Sequence, residues 1–179
     1  MATQNTISVP KIGALLLILG AGCSSTSSTS DAAVTPPKTI VINEIFPHGD
    51  KMGDPDWVEL KNISAAPVLL DGYQVRDEKL ANLQFLPDGL TVAPGAYLII
   101  YCLGTPDAGV PVGLEGMTVP FKLSGGSGDE FHLVDPKGMD VDATVFGVNI
   151  PDTKSWGRLP DGVGMMFFNT TPTKGLPNI

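Results

Sequence analysis

Ten short apolar runs, each four to eight residues long and set off by proline- or glycine-bearing turns, restrict this chain more than any other feature. They are Thr39–Phe46, Trp57–Asn62, Pro67–Leu70, Tyr73–Arg76, Leu83–Leu86, Ala96–Leu103, Val119–Leu123, Glu130–Val134, Val141–Phe146 and Met165–Asn169. Val, Ile, Phe and Tyr dominate them, which is strand chemistry. No window sustains an i, i+3, i+4, i+7 apolar stripe, so long helices are not expected. Pro87-Asp88-Gly89, Pro94-Gly95, Asp135-Pro136-Lys137-Gly138 and Pro160-Asp161-Gly162 punctuate the runs. Each pairs a preset proline φ or a glycine free to take positive φ with polar neighbours. Many short strands at this spacing predict an all-β, antiparallel sandwich, with a closed barrel as the alternative. Phe131 and Leu133 alternate with Glu130 and His132, then turn into Asp140–Phe146. Phe121 and Leu123 precede them, which predicts a three-stranded meander with His132 at the surface.

The N-terminus has a different texture. Ile12–Gly22 is uninterrupted by charge, follows Lys11, and ends at Cys23 before a Ser/Thr-rich string. It is shorter than the roughly 20 apolar residues that span a bilayer. The order is that of a bacterial lipoprotein signal, with residues 1–22 removed and Cys23 acylated. Two or three acyl chains, at about 0.8 kcal/mol per buried methylene, hold a protein at a lipid bilayer almost permanently. Gly20 stands where such signals usually have leucine, so an ordinary secretory leader is the alternative; both imply export. Ser24 in place of aspartate leans towards the outer membrane or cell surface. Residues 23–38, poor in large apolar side chains and ending near Pro36-Pro37, are expected to be a flexible tether reaching about 50 Å. Residues 39–179 form the domain.

Lys11 is the leader's sole charge, so the remainder has 10 basic and 19 acidic side chains and a formal charge of −9. An acidic body repels phosphate backbones, which disfavours direct nucleic-acid binding. With Cys23 taken by the anchor, Cys102 has no partner for a disulfide; inside Tyr97–Leu103 it reads as a small buried hydrophobe.

Catalytic signatures are missing from the sequence. Two histidines, His48 and His132, are too few for a histidine-based zinc site unless carboxylates complete it. Asp50, Asp54 and Asp56 lie in one glycine-containing loop and are weak candidates for a cation such as Ca2+, although EF-hand spacing is absent. Glu44 and Glu59 each interrupt an apolar strand, where an unpaired carboxylate is costly. They read either as an acid/base or metal pair, or as structural carboxylates accepting backbone N–H bonds or an arginine such as Arg76 or Arg158. Trp156 beside Gly157 and Arg158 is a candidate partner-binding site, the alternative being packing over a sandwich edge.

In order, several segments resemble the lamin-tail domain, an immunoglobulin-like β-sandwich. They include VINEI from Val41, DWVELKN from Asp56, LLDGYQV from Leu69, PGAYLII from Pro94, FKLSGG from Phe121, DPKGMDVD from Asp135 and SWGRLPDG from Ser155. Thr171-Pro172 through Pro177-Asn178 completes the series. The resemblance covers about 140 residues and implies the fold more firmly than any activity. It implies a docking surface, found in bacteria on exported proteins and often beside nuclease or phosphoesterase domains. Neither a rod nor a companion catalytic domain is expected from these residues. The expectation is therefore a non-catalytic lipoprotein whose module meets an envelope protein or surface polymer. The alternative is an accessory, cation-binding subunit of an exported hydrolase.

Overall fold

The β-sheets form from short runs rich in β-branched and aromatic residues, several of them buried on both faces, and twelve strands result. In chain order they are β1 (Ile40–Phe46), β2 (Asp56–Asn62), β3 (Val68–Leu69), β4 (Gln74–Arg76), β5 (Gln84–Phe85) and β6 (Thr91–Val92). The series continues with β7 (Tyr97–Cys102), β8 (Met117–Val119), β9 (Asp129–Val134), β10 (Asp140–Phe146), β11 (Trp156–Leu159) and β12 (Met165–Phe168). The computed structural model describes residues 37–105, 113, 115–147, 149–168 and 171–179. All of these belong to the second of two units, residues 36–179. The leader, Cys23 and most of the expected tether lie outside the described residues. The helical content among them is one turn, α1 (Gly49–Met52), and a 3-10 turn at Leu80–Asn82.

A six-stranded sheet runs β12-β11-β1-β2-β7-β8 and a four-stranded sheet runs β10-β9-β4-β5, with β3 and β6 paired apart. Two separate sheets, not a closed barrel, enclose the core. Ile40, Ile42, Ile45, Val58, Leu60 and Ile100 enter it from one sheet, and Val75, Phe131, Leu133 and Phe146 from the other. Phe121 stacks at a tilt on Phe131, their rings 6.2 Å apart. Cys102 is buried in the same core, and burial pushes its thiol well above the usual range.

Three sequence expectations change. The meander does not form: Phe121 and Leu123 enter the core from an irregular segment, and β8 before them pairs parallel with β7 in the other sheet. The 120–123 backbone is tied instead to the end of β7, where Gly104 N–H donates to Phe121 O. Strands β6 and β11 escape the apolar-run reading, since Thr91-Val92 is too short and Trp156-Gly157-Arg158-Leu159 too polar to announce itself. Finally, His132 is not a free surface histidine but is 12% exposed in its side chain, wedged among Glu130, Asp140 and Arg76.

Asp142 closes the sandwich edge where β10 meets the six-stranded sheet. Its Oδ2 accepts the Ile42 N–H at 2.9 Å and Arg158 Nη2 at 2.8 Å, while Oδ1 accepts Lys38 Nζ at 2.6 Å. A buried charge held by two cations and a backbone donor is well compensated.

Candidate functional site

The outer faces of the two sheets differ, and the difference begins with the C-terminal segment. On the six-stranded sheet, Glu44 of β1 stands directly across from Glu59 of β2. Both are fully buried. The cover is residues 171–179. Thr173 donates its N–H (3.0 Å) and hydroxyl (2.9 Å) to Glu44 Oε2, and Ser155 donates its hydroxyl to Oε1. Gly175 N–H donates to Glu59 Oε2 at 2.6 Å, and Asn43 Nδ2 to Oε1 at 2.7 Å. Asn178 N–H reaches Asp161, which also receives Lys61 Nζ and the Tyr97 hydroxyl. Lys174 lies 5.3 Å above the Tyr101 ring and pairs with Asp54 at 2.6 Å. Phe46, Trp57 and Tyr101 form a second apolar cluster on this face.

The carboxylates thus accept backbone N–H bonds, as one sequence reading had it, while Arg158 donates to Ile42 O, Gly164 O and Asp142. Their electrostatics follow burial. Desolvation raises Glu59 to about 8 against the donors Asn43 and Gly175, with Glu44 and Asp161 adding negative charge nearby. Burial also opposes the charge on Asp161, but the bonds from Lys61, Asn43, Asn178 and Tyr97 hold it below the usual range. The raised value of Glu59 favours its neutral form near neutral pH, which relieves the repulsion between buried carboxylates side by side.

The other candidates separate. Asp56 accepts Gly49 N–H at 3.0 Å and Leu123 N–H at 3.4 Å, and burial raises its pKa. Asp54 is taken by Lys174, and Asp50 is exposed. Among the described residues no group of three or more His, Cys, Asp or Glu side chains is placed to hold a metal. His48 Nε2 lies 2.6 Å from Ile150 O, with its ring against Gly125, where a Cβ would sit 2.2 Å from it. Trp156 packs against the core and donates Nε1–H to Thr144 at 3.2 Å. Arg158 donates Nε–H to Ile42 O, Nη1–H to Gly164 O and Nη2–H to Asp142. The two candidate partner-binding residues are thereby engaged in tying β10, β11 and β12 to β1.

The outer face of the four-stranded sheet carries what sequence reasoning missed. Gln74 and Arg76 flank buried Val75 and so face outward; Gln74 pairs with Val134 and Phe85, Arg76 with His132. Leu80 and Leu83 wall this row on one side and Met139, from the β9–β10 turn, on another. Together they bound a groove of about 460 Å3. At one end, His132 Nε2 lies 3.0 Å from Glu130 and Nδ1 3.1 Å from Asp140. The sequence signal for this groove was only an exposed-looking Met139 after Gly138 and a leucine pair in a polar stretch.

Comparison with known proteins agrees with the architecture. Residues 33–147 match the family model described as Lamin Tail Domain. None of the curated proteins matches the chain. The match ends just after β10, so β11, β12 and the covering C-terminal segment lie beyond it.

Proposed function

The chain belongs to the lamin tail domain family, and on that premise we propose that it is a non-catalytic docking module held at a bacterial envelope membrane by acylated Cys23. The observation that carries the reading is the contrast between its two outer faces. One is covered across Glu44 and Glu59 by the chain's own C-terminal segment. The other presents Leu80 and Met139, at 74% and 66% exposure, in a groove, with Phe85, 71% exposed, opposite Gln74 on the same sheet. Exposed apolar side chains gathered about a concavity are what binding surfaces look like. The two glutamates that sequence reading offered for acid/base chemistry are buried beneath residues 171–179, which supports a role without turnover. The tether implied by residues 23–38 raises the local concentration of the module, so a weak contact is occupied.

A second reading, an accessory cation-binding subunit of an exported hydrolase, draws no support from Asp54 and Asp56, whose carboxylates already have protein partners. Affinity capture of the anchored chain tests the first reading. The wild type is expected to retain a neighbour that Leu80→Glu loses and Val163→Glu keeps, since Val163 is equally exposed but lies away from the groove. Equal recovery from all three would refute docking at this face. A Cys23→Ala chain whose mature mass differs from the wild type's only by the lost sulfur atom, with no acyl chain missing, would refute the anchor.

A further inference from the structure

The chain has two arginines, and their circumstances are opposite. Arg158 is engaged through Nε, Nη1 and Nη2 with groups of its own sandwich. Arg76 stands in the wall of the open groove, where Nη1 donates to Asp77 O at 2.8 Å and Nη2 lies 3.0 Å from His132 Nδ1. Among the described residues no carboxylate comes within ion-pair distance of it. This is notable in a chain with 19 acidic and 11 basic side chains. Of the acids close by, Glu130 and Asp140 face the two nitrogens of His132, and the Asp77 carboxylate accepts from Lys79 N–H and Asn82 Nδ2. Guanidinium donors therefore remain, next to a Gln74 side-chain amide that makes no hydrogen bond among the described residues. Leu80, Leu83, Val134, Gly138 and Met139 line most of the remainder, together with Asp140, whose carboxylate is turned to His132 Nδ1 at 3.1 Å.

Resting on the docking reading above, we propose that this groove receives the C-terminal residue of a partner protein, its carboxylate on Arg76 and its bulky apolar side chain between Leu80, Leu83 and Met139. The planar guanidinium fork matches a carboxylate's two oxygens, and apolar walls strengthen the pairing by excluding water. Geometry favours a chain end over an internal acid with an apolar residue beside it. In an extended peptide successive side chains point to opposite faces, so an acidic residue and its apolar neighbour cannot both enter one groove. In a C-terminal residue the carboxylate and the side chain branch from the same Cα, and both fit a single cavity of about 460 Å3.

The test is a titration of the full chain carrying Cys23→Ala, followed through its leucine and methionine methyl NMR signals. The probes are N-acetyl-leucine, N-acetyl-leucinamide and N-acetyl-aspartyl-leucinamide. N-acetyl-leucine is expected to shift the Leu80, Leu83 and Met139 methyls saturably. The two amides should bind about tenfold more weakly or worse, as loss of a bidentate ionic contact requires. Arg76→Gln should reduce N-acetyl-leucine to the level of its amide while leaving the remaining methyl spectrum unchanged. Should that variant unfold, Leu80→Glu, at a site that is already exposed, is expected to abolish the shifts. Equal binding of acid and amide, a preference for the aspartyl probe, or shifts that survive in both variants would overturn the inference. Failure here, with cellular capture still lost in Leu80→Glu, would remove the terminal carboxylate alone and leave the docking face.

Discussion

Glu44 Oε2 accepts both the backbone N–H and the hydroxyl of Thr173, two residues 129 positions apart in sequence. This contact turns a glutamate in the middle of an apolar strand from a liability into an anchor. Removing the hydroxyl leaves a buried carboxylate short of a donor, so Thr173→Ala is expected to lower unfolding free energy by about 1.5–3 kcal/mol. Urea denaturation checks this; a change below a few tenths of a kcal/mol would show that the segment does not sit on the sheet as described.

Glu59 makes stability depend on pH in a direction opposite to that of most salt-bridged acids. Its ordinary value of 4.5 is raised in the folded chain to about 8 by burial. Between those values the folded state keeps a proton that the unfolded state has lost. Stability is therefore full below about 4.5, falls as pH rises, and has lost this contribution above about 8. Asp129 behaves alike between 3.8 and about 7, through burial and its bond with Glu78. The fall between pH 7 and 8.5 thus belongs chiefly to Glu59. Denaturant midpoints are expected to decline over that interval in the wild type and to decline markedly less in Glu59→Gln, where the Asp129 contribution remains.

Arg158→Ala should be the most damaging single change at the sandwich edge. It strips Asp142, whose side chain is 2% exposed, of a cation and frees the Ile42 and Gly164 carbonyls as well. Lys38 and the Ile42 N–H remain on Asp142, so a loss of about 3 kcal/mol is expected, at the low end for a broken buried pair. Asp142→Asn in the Arg158→Ala background should recover part of it, which a thermal melt would reveal.

Trp156 was expected either at a partner interface or over an edge. Its packing on the core and its bond to Thr144 predict that Trp156→Ala costs about 3 kcal/mol. The same change should leave N-acetyl-leucine binding unaltered. Normal stability with lost binding would return Trp156 to the interface.

How much of this was legible beforehand follows from the range of each interaction. Strands such as Ile40–Phe46 and Asp140–Phe146 declared themselves because short runs rich in β-branched and aromatic residues between turns are a local signal, although burial along them does not follow a simple apolar alternation. Glu44 and Glu59 declared themselves as anomalies, but their partners did not. Thr173 and Gly175 lie in a segment without periodicity, and only the tertiary path lays it over β1 and β2. The groove was invisible for a similar reason. Leu80 and Leu83 lie in and after a 3-10 turn and Met139 in a hairpin turn, and the β4–β9 register brings them around Gln74 and Arg76. Proline- and glycine-rich punctuation hid β11 and misplaced the strand at residues 117–123, because an apolar pair such as Phe121 and Leu123 enters a core without being a strand.

The central claim, that the open face of the four-stranded sheet is the one that meets a partner, is tested most directly by photocrosslinking in the cell. A photoreactive amino acid is placed at Phe85, on that face, and at Ile179, which is 78% exposed at the end of the covering segment. The expected result is one adduct of defined mass from position 85, absent from position 179 and lost when Leu80→Glu is added. Adducts formed equally from both positions, or from 179 alone, would contradict it.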